Sequence, residues 1–178
     1  MKKKYCIMQV LPALNSGGVE RGTLEIAAAL VRRGHGSLVC SSGGAMVQDI
    51  SLVGAEHIQL QVRSKNPFII LLNIWRIYKL IKKHKVDARS RALAWSCYYA
   101  SKLAGTRFIT TFHGTYGAKN VFKRFYNSIM LSGKRVVAIS GFIKNHIAAT
   151  YPGFDLSRLV VIKRGVDLEY FNPKAVGE

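Results

Sequence analysis

Short runs of apolar and β-branched residues alternate along this chain with longer stretches of helical period, and no other feature restricts the fold as much. Tyr5 to Leu11, Ser37 to Ser41, His57 to Val62, Arg107 to Phe112, Arg135 to Ile139 and Leu159 to Ile162 read as strands. Between them, apolar residues recur every three or four positions. In Val19 to Arg33 the stripe is Leu24, Ala27, Ala28, Leu30 and Val31, and Gly34 offers a left-handed stop. Such alternation predicts βαβ units, because parallel strands need a crossover long enough to hold a helix. The expected class is α/β: a Rossmann-like, doubly wound, mainly parallel sheet with helices on both faces.

The other helices follow from local signals. Gly43 and Gly44 open a loop before a short helix near Met46 to Val53. Pro67 fits the first turn of a long helix ending near His84, where Lys82, Lys83 and His84 suit the negative end of its dipole. Further helices are expected at Leu93 to Ala104 and Asn120 to Leu131, and Ser140 can cap another that Tyr151-Pro152-Gly153 ends. With 178 residues, 49% apolar and 20% charged, the chain suits one globular domain and excludes disordered and collagen-like classes. Cys6, Cys40 and Cys97 are odd in number and far apart, so neither a disulfide framework nor a zinc site is supported, and a reducing cytoplasm fits.

Charge is the unusual property. The chain carries 27 Lys and Arg against 9 Asp and Glu, and between His57 and Phe154 there are 17 basic residues to one acid, Asp87. An acidic neighbour follows: nucleic acid, an anionic membrane or a phosphorylated substrate. The opening Lys2-Lys3-Lys4 and Tyr5 to Leu11 imitate a signal peptide, but Gln9 and Pro12 interrupt the apolar part and no A-x-A-like site follows. No segment reaches the ~18 to 20 apolar residues of a membrane span.

The segment Leu11-Pro12-Ala13-Leu14-Asn15-Ser16-Gly17-Gly18-Val19-Glu20-Arg21-Gly22 joins a strand to a helix, so its amides face the carboxyl edge of the sheet, where anions bind. Gly17 and Gly18 would let a phosphate approach the backbone, and Arg21 would add charge. The pattern is neither G-x-G-x-x-G nor G-x-x-x-x-G-K-[ST], which counts against a dinucleotide dehydrogenase and a P-loop ATPase. Plain turn geometry is the competing reading of the two glycines.

Gly17-Gly18-Val19-Glu20-Arg21, Thr111-Phe112-His113-Gly114-Thr115, Ala138-Ile139-Ser140 and Gly165-Val166-Asp167-Leu168-Glu169-Tyr170-Phe171-Asn172-Pro173, in that order, resemble the motifs of glycosyltransferase family 4, retaining enzymes of the GT-B fold. The resemblance covers nearly the whole chain and matches the N-terminal half of such an enzyme. It implies transfer of a sugar from a nucleotide-sugar donor to a lipid-linked or polysaccharide acceptor, in a cleft between two Rossmann-like domains. On that likeness residues 1–163 form the acceptor-side domain and 164–178 begin the interdomain linker. The donor half, with the base pocket and the E-x7-E glutamates, is expected on another segment, and residues 1–178 alone are expected to be inactive.

By the same resemblance His113 is the catalytic-site residue at the cleft floor, contacting the transferred sugar. Gly17, Gly18 and Arg21 hold the donor phosphates. Gly114, Thr115, Arg89, Arg91 and Ser140 line the cleft on the acceptor side. No metal and no cofactor is implied. One departure concerns Asp87-Ala88-Arg89-Ser90-Arg91, where the fourth strand looks clipped and the positions of Arg89 and Arg91 are open.

In Pro67 to His84 the polar residues Asn73, Arg76, Lys79 and Lys83 leave a wide face of Phe68, Ile69, Leu71, Leu72, Trp75, Tyr78 and Ile81. Such a face can lie in a membrane interface or pack against the sheet with the lysines in water; the second is the expectation, both can hold in part, and Arg76, Lys79, Lys82 and Lys83 are the candidate contacts to an anionic membrane. The resemblance then implies a cytoplasmic enzyme, peripheral on the inner face of the plasma membrane, serving cell-envelope or lipopolysaccharide synthesis. The alternatives are a non-catalytic basic module binding anionic lipid or nucleic acid, and a truncated gene remnant. Nucleic acid is disfavoured because no helix-turn-helix, aromatic-basic RNA platform or zinc finger is present.

Overall fold

A computed structural model describes residues 4–62, 66–90, 94–116 and 120–165, with the side chains of Pro67, Arg89 and Ser90 outside that description. Its strands are β1 (Cys6–Val10), β2 (Gly36–Ser41), β3 (Glu56–Gln59), β4 (Asp87–Ser90), β5 (Phe108–Phe112), β6 (Arg135–Ala138) and β7 (Leu159–Val161). All pair in parallel, in the order β3-β2-β1-β4-β5-β6-β7. The helices are α1 (Gly18–Arg32), α2 (Val47–Leu52), α3 (Pro67–His84), α4 (Ala94–Ala104), α5 (Val121–Ser128) and α6 (Gly141–Thr150).

Alternation along β1 divides the interior into two cores. Met8 and Val10 point into the larger one, with Ile77 and Ile81 of α3, Phe108 and Phe112 of β5, and Ile143 and Ile147 of α6. Leu11, Leu14, Ala27, Val39 and Ile50 form a smaller core beside α1 and α2. Gln9 faces that side too, and its Nε2 donates to the Thr23 carbonyl at 3.0 Å, which satisfies a buried amide. Each large apolar side chain so buried contributes about 1.5–3 kcal/mol by transfer from water.

Most helix ends obey the sequence signals. Gly34 adopts φ 75 after α1, and Ser140 Oγ accepts from Ile143 N at 3.2 Å. Asn66 caps α3 through Phe68 N, with Pro67 in the first turn. The helix expected over 120–131 is shorter: α5 stops at Ser128, and a 3₁₀ turn, Ile129–Leu131, drops Ile129 and Met130 into the core.

α3 turns differently from expectation. Asn73, assigned to the outer face, is 0% exposed and lies in line with Ile77 and Ile81, whereas Phe68 and Trp75, assigned inward, are 79% and 54% exposed. The physical reason is a hydrogen bond: Asn73 Nδ2 donates to the Gln61 carbonyl at 3.0 Å, tying α3 to the segment that leaves β3. Hydropathy carries no record of such a bond, so a pattern read by polarity rotates the helix the wrong way.

The clipped strand is a strand nonetheless. Asp87 Oδ1 accepts from Thr106 Oγ1 at 3.0 Å and Arg107 N at 3.2 Å, and its Oδ2 lies 3.0 Å from Arg107 Nη2. That anchor fixes the register, with Ala88 against Met8 and Phe108 and Arg89 against Gln9 and Ile109. Four residues suffice for a central strand because both neighbours pair with it.

Candidate functional site

β1 and β4 are adjacent, yet the connections leaving them run to opposite sides of the sheet, the first through α1 to β2 and the second through α4 to β5. At such a switch point the carboxyl edge is the position where doubly wound sheets bind ligands in a crevice.

The loop after β1 is held from below. Leu11 and Leu14 are buried, Leu14 N donates to the Gly43 carbonyl, and Met46 N donates back to the Leu14 carbonyl, both at 2.8 Å. The loop ends at Gly17, which caps α1 without a side-chain hydrogen bond. The first amides of α1 therefore face the crevice with the positive end of the helix dipole behind them. A side chain on Gly17 would collide with the Glu20 carboxylate, which lies over the turn. Gly18 has a different neighbour: a Cβ there would fall 2.9 Å from Arg164 Nη1.

Arg164 brings the second half of the site to the first. Its Nη1 donates to the Gly18 carbonyl and its Nη2 lies 2.5 Å from His113 Nδ1. His113 follows directly on β5, so the glycine turn and the histidine stand on one rim. His113 and Arg164 border a cavity of about 220 Å³ with Val19, Gly22 and Thr23 of α1 and Thr111, Val137 and Ile139 of the sheet. Arg21 Nε lies 3.8 Å from Glu25 Oε1 one turn along α1, and Arg164 Nη1 contacts the Gly18 carbonyl.

The other expected residues divide. Gly114 opens to empty space where a Cβ would point, and Thr115 is exposed beside it. Ser140 spends its hydroxyl on the cap of α6. Arg89 belongs to β4 and not to a loop, while Arg91 and most of the Gly165 to Pro173 segment lie outside the described residues. Among the described residues no three His, Cys, Asp or Glu side chains come together as a metal site. No described helix is long and apolar enough to cross a membrane.

On the β4 side of the crevice a second cavity of about 370 Å³ is lined by Pro12, Trp95, Tyr116, Tyr126 and Met130. The Trp95 ring sits 6.1 Å from Tyr99 and Phe125 and 6.3 Å from Tyr126, and its Nε1 donates to the Tyr126 carbonyl at 3.1 Å. Trp95, Tyr116 and Tyr126 are not among the site residues expected from the sequence.

The sequence profile of Glycosyltransferase Family 4 matches residues 16–170. The chain belongs to that family. A crystal structure of a glycosyltransferase from Rickettsia africae ESF-5 is 47% identical, with a TM-score of 0.86, and the match covers 99% of this chain and 47% of that one. Anabaena HepE in complex with UDP and glucose shares the fold at 15% identity and TM-score 0.77, over 96% of this chain and 48% of that chain. MurG of Acinetobacter baumannii does so at 16% and 0.62, over 98% and 50%. Among curated proteins there is no significant match.

This family 4 chain therefore spans about half the length of the solved relatives, and its seven-stranded sheet corresponds to the N-terminal, Rossmann-like half of a GT-B fold. The site residue that sequence reasoning missed is Arg164. Its one signal was position, immediately before the Gly165-Val166-Asp167 motif.

Proposed function

We propose that this domain is the acceptor side of a retaining glycosyltransferase, moving a sugar from a nucleotide-sugar donor to a glycan or lipid-linked acceptor together with a C-terminal donor half. In this reading residues 1–163 form the domain and 164–178 lead toward the donor half. The observation that carries it is Arg164, which touches both His113 Nδ1 and the Gly18 carbonyl and so holds the histidine and the first turn of α1 on one rim of the crevice. As the nucleotide leaves, negative charge grows on its diphosphate; amides at Gly17 and Gly18 with a helix dipole behind them stabilise that charge without reorganising. His113 supplies a hydrogen bond to the sugar, and Gly114, Thr115, Arg89 and Arg91 border the acceptor.

An envelope role, such as lipopolysaccharide synthesis at the inner face of the plasma membrane, draws support from the surface. Phe68, Leu71, Leu72 and Trp75 on the first turns of α3 and Val121, Phe122, Phe125 and Tyr126 on α5 are all exposed. Parallel strands set both helices with their first turns at the carboxyl edge, so this apolar ground adjoins the crevice. Exposed cations accompany it, Lys123 and Arg124 on α5 and Lys79 one turn beyond Trp75 on α3, with Lys82 and Lys83 at the far end of that helix. Apolar residues mixed with cations fit an anionic bilayer better than either feature alone.

The test is sugar transfer by the full-length protein from a panel of labelled nucleotide sugars to an envelope lipid extract. Transfer that falls by ~10²-fold in His113→Ala, the cost of losing one transition-state hydrogen-bond donor, is expected. No transfer from any donor, or full transfer by the variant, overturns the reading.

A further inference from the structure

We infer that Arg164 is the positioning residue of His113: seated in a groove made by two glycines of α1, its guanidinium holds the imidazole as a hydrogen-bond acceptor at Nδ1 and leaves the ring proton on Nε2. Gly18 and Gly22 are four residues apart and so share one face of α1. A Cβ on Gly18 would lie 2.9 Å from Nη1, and one on Gly22 would lie 3.6, 3.7 and 3.9 Å from Nη2, Cζ and Nε. The whole guanidinium therefore rests along a strip of helix that carries no side chains. From this seat Nη1 donates to the Gly18 carbonyl and Nη2 meets His113 Nδ1 at 2.5 Å.

A guanidinium has only donors and keeps its charge at any physiological pH. The Nδ1 that faces it must offer a lone pair, and a neutral imidazole with a bare Nδ1 carries its proton on Nε2. The site thereby gains two fixed properties: a neutral histidine whose Nε2–H is a donor, and a permanent positive charge against the first turn of α1. Arg164 also belongs to the segment that leaves β7, so the tautomer depends on where that segment lies. The use of the Nε2–H on a sugar hydroxyl rests on the function proposed above, whereas the tautomer does not.

The test is long-range ¹⁵N–¹H correlation of the imidazole in the ¹⁵N-labelled chain at pH 8, above the ordinary imidazole value of about 6.5. Wild type is expected to show one tautomer, Nε2–H, with Nδ1 shifted by an accepted hydrogen bond. Arg164→Ala should lose that shift and mix the tautomers. Gly18→Ala, which pushes the guanidinium aside while keeping it in the chain, should do the same, and Arg164→Lys, which restores a cationic donor, should recover part of the shift. A protonated Nδ1 in wild type, or spectra unchanged in both alanine variants, overturns the inference. Sugar transfer that depends on His113 with unchanged spectra would sink this inference and leave the function standing; the reverse pattern would sink the function alone.

Discussion

The guanidinium of Arg164 rests against His113, and the same group reaches back across 146 residues to the carbonyl of Gly18. A segment from the end of the sheet thus closes the site begun at its start, and an anion arriving at the first turn of α1 meets a formal positive charge. Hydrogen bonds to charged groups contribute about 1.5–3 kcal/mol, and 1.4 kcal/mol is tenfold in affinity. Arg164→Gln is therefore expected to weaken binding of the donor's nucleoside diphosphate, found with a panel of them, to the full-length protein by about tenfold or more in titration calorimetry. Equal affinities would show that the charge serves His113 alone.

A turn on the far side of β1 holds the glycine loop in place. Gly44 has φ 143, and a Cβ there would run into the backbone of Leu14. Both the left-handed backbone and the close approach require glycine. Gly44→Ala should cost at least about 2–3 kcal/mol, the scale of strain for a side chain held in a disallowed region. Urea unfolding measures it, and a loss below 1 kcal/mol would mean that the loop after β1 yields easily.

The fold was legible because most of it rests on period and punctuation. Gly34, Pro67 and Ser140 each stop, start or cap a helix through their own covalent chemistry, which a single sequence displays. What could not be read was set by partners distant in sequence. Asn73 is interior because of Gln61, and β4 is a strand because of Met8 and Phe108, residues that periodicity within one segment cannot see. For the site, the glycine turn and His113 stood out through local pattern. Arg164 did not, because its meaning lies in a groove on another element.

Asn73 offers a direct measure of that hidden term. Asn73→Ala would remove the hydrogen bond to the Gln61 carbonyl, a loss of about 0.5–1.5 kcal/mol. Asn73→Asp should be worse, since it sets a carboxylate against a carbonyl oxygen without a donor between them. Thermal and urea unfolding of the two variants should rank wild type above Ala above Asp. An Asp variant as stable as wild type would mean that α3 is free to rotate and expose the position.

Stability should fall in mild acid through His57. Burial holds its imidazole below the ordinary range, and its Nε2 lies 2.9 Å from Ser41 Oγ at the end of β2. With the folded value depressed, the unfolded chain takes up the proton first, so this group leaves stability untouched above about pH 6.5 and lowers it as pH falls below that, down to the folded value. The urea midpoint should therefore drop between pH 7.5 and 5.5, and His57→Gln should flatten that drop. An identical pH slope in the variant would assign the acid sensitivity to other groups.

The final question is which force would carry the domain to a bilayer. α5 has no buried residue, and its Phe122 is 83% and Phe125 68% exposed, so changing Phe122 costs within about 0.5 kcal/mol and changing Phe125 about 0.5–1.5 kcal/mol for its ring contact with Trp95. On α3, Lys79 Nζ sits 3.4 Å over the Trp75 ring, placing cation and aromatic together where headgroups begin. Each cation near an anionic surface adds about 1 kcal/mol, and three of them would match one or two inserted aromatic side chains at about 1.5–3 kcal/mol each. The two contributions differ in salt, because screening shortens the Debye length from about 10 Å at 0.1 M to about 3 Å at 1 M and leaves apolar insertion intact. Flotation with anionic vesicles should accordingly persist in part at high salt for wild type and become fully salt-releasable in Phe122→Ser/Phe125→Ser. Lys79→Glu/Lys82→Glu/Lys83→Glu should instead lose most binding at low salt. Equal recovery of all three proteins with anionic and neutral vesicles would remove the membrane from the account of this surface.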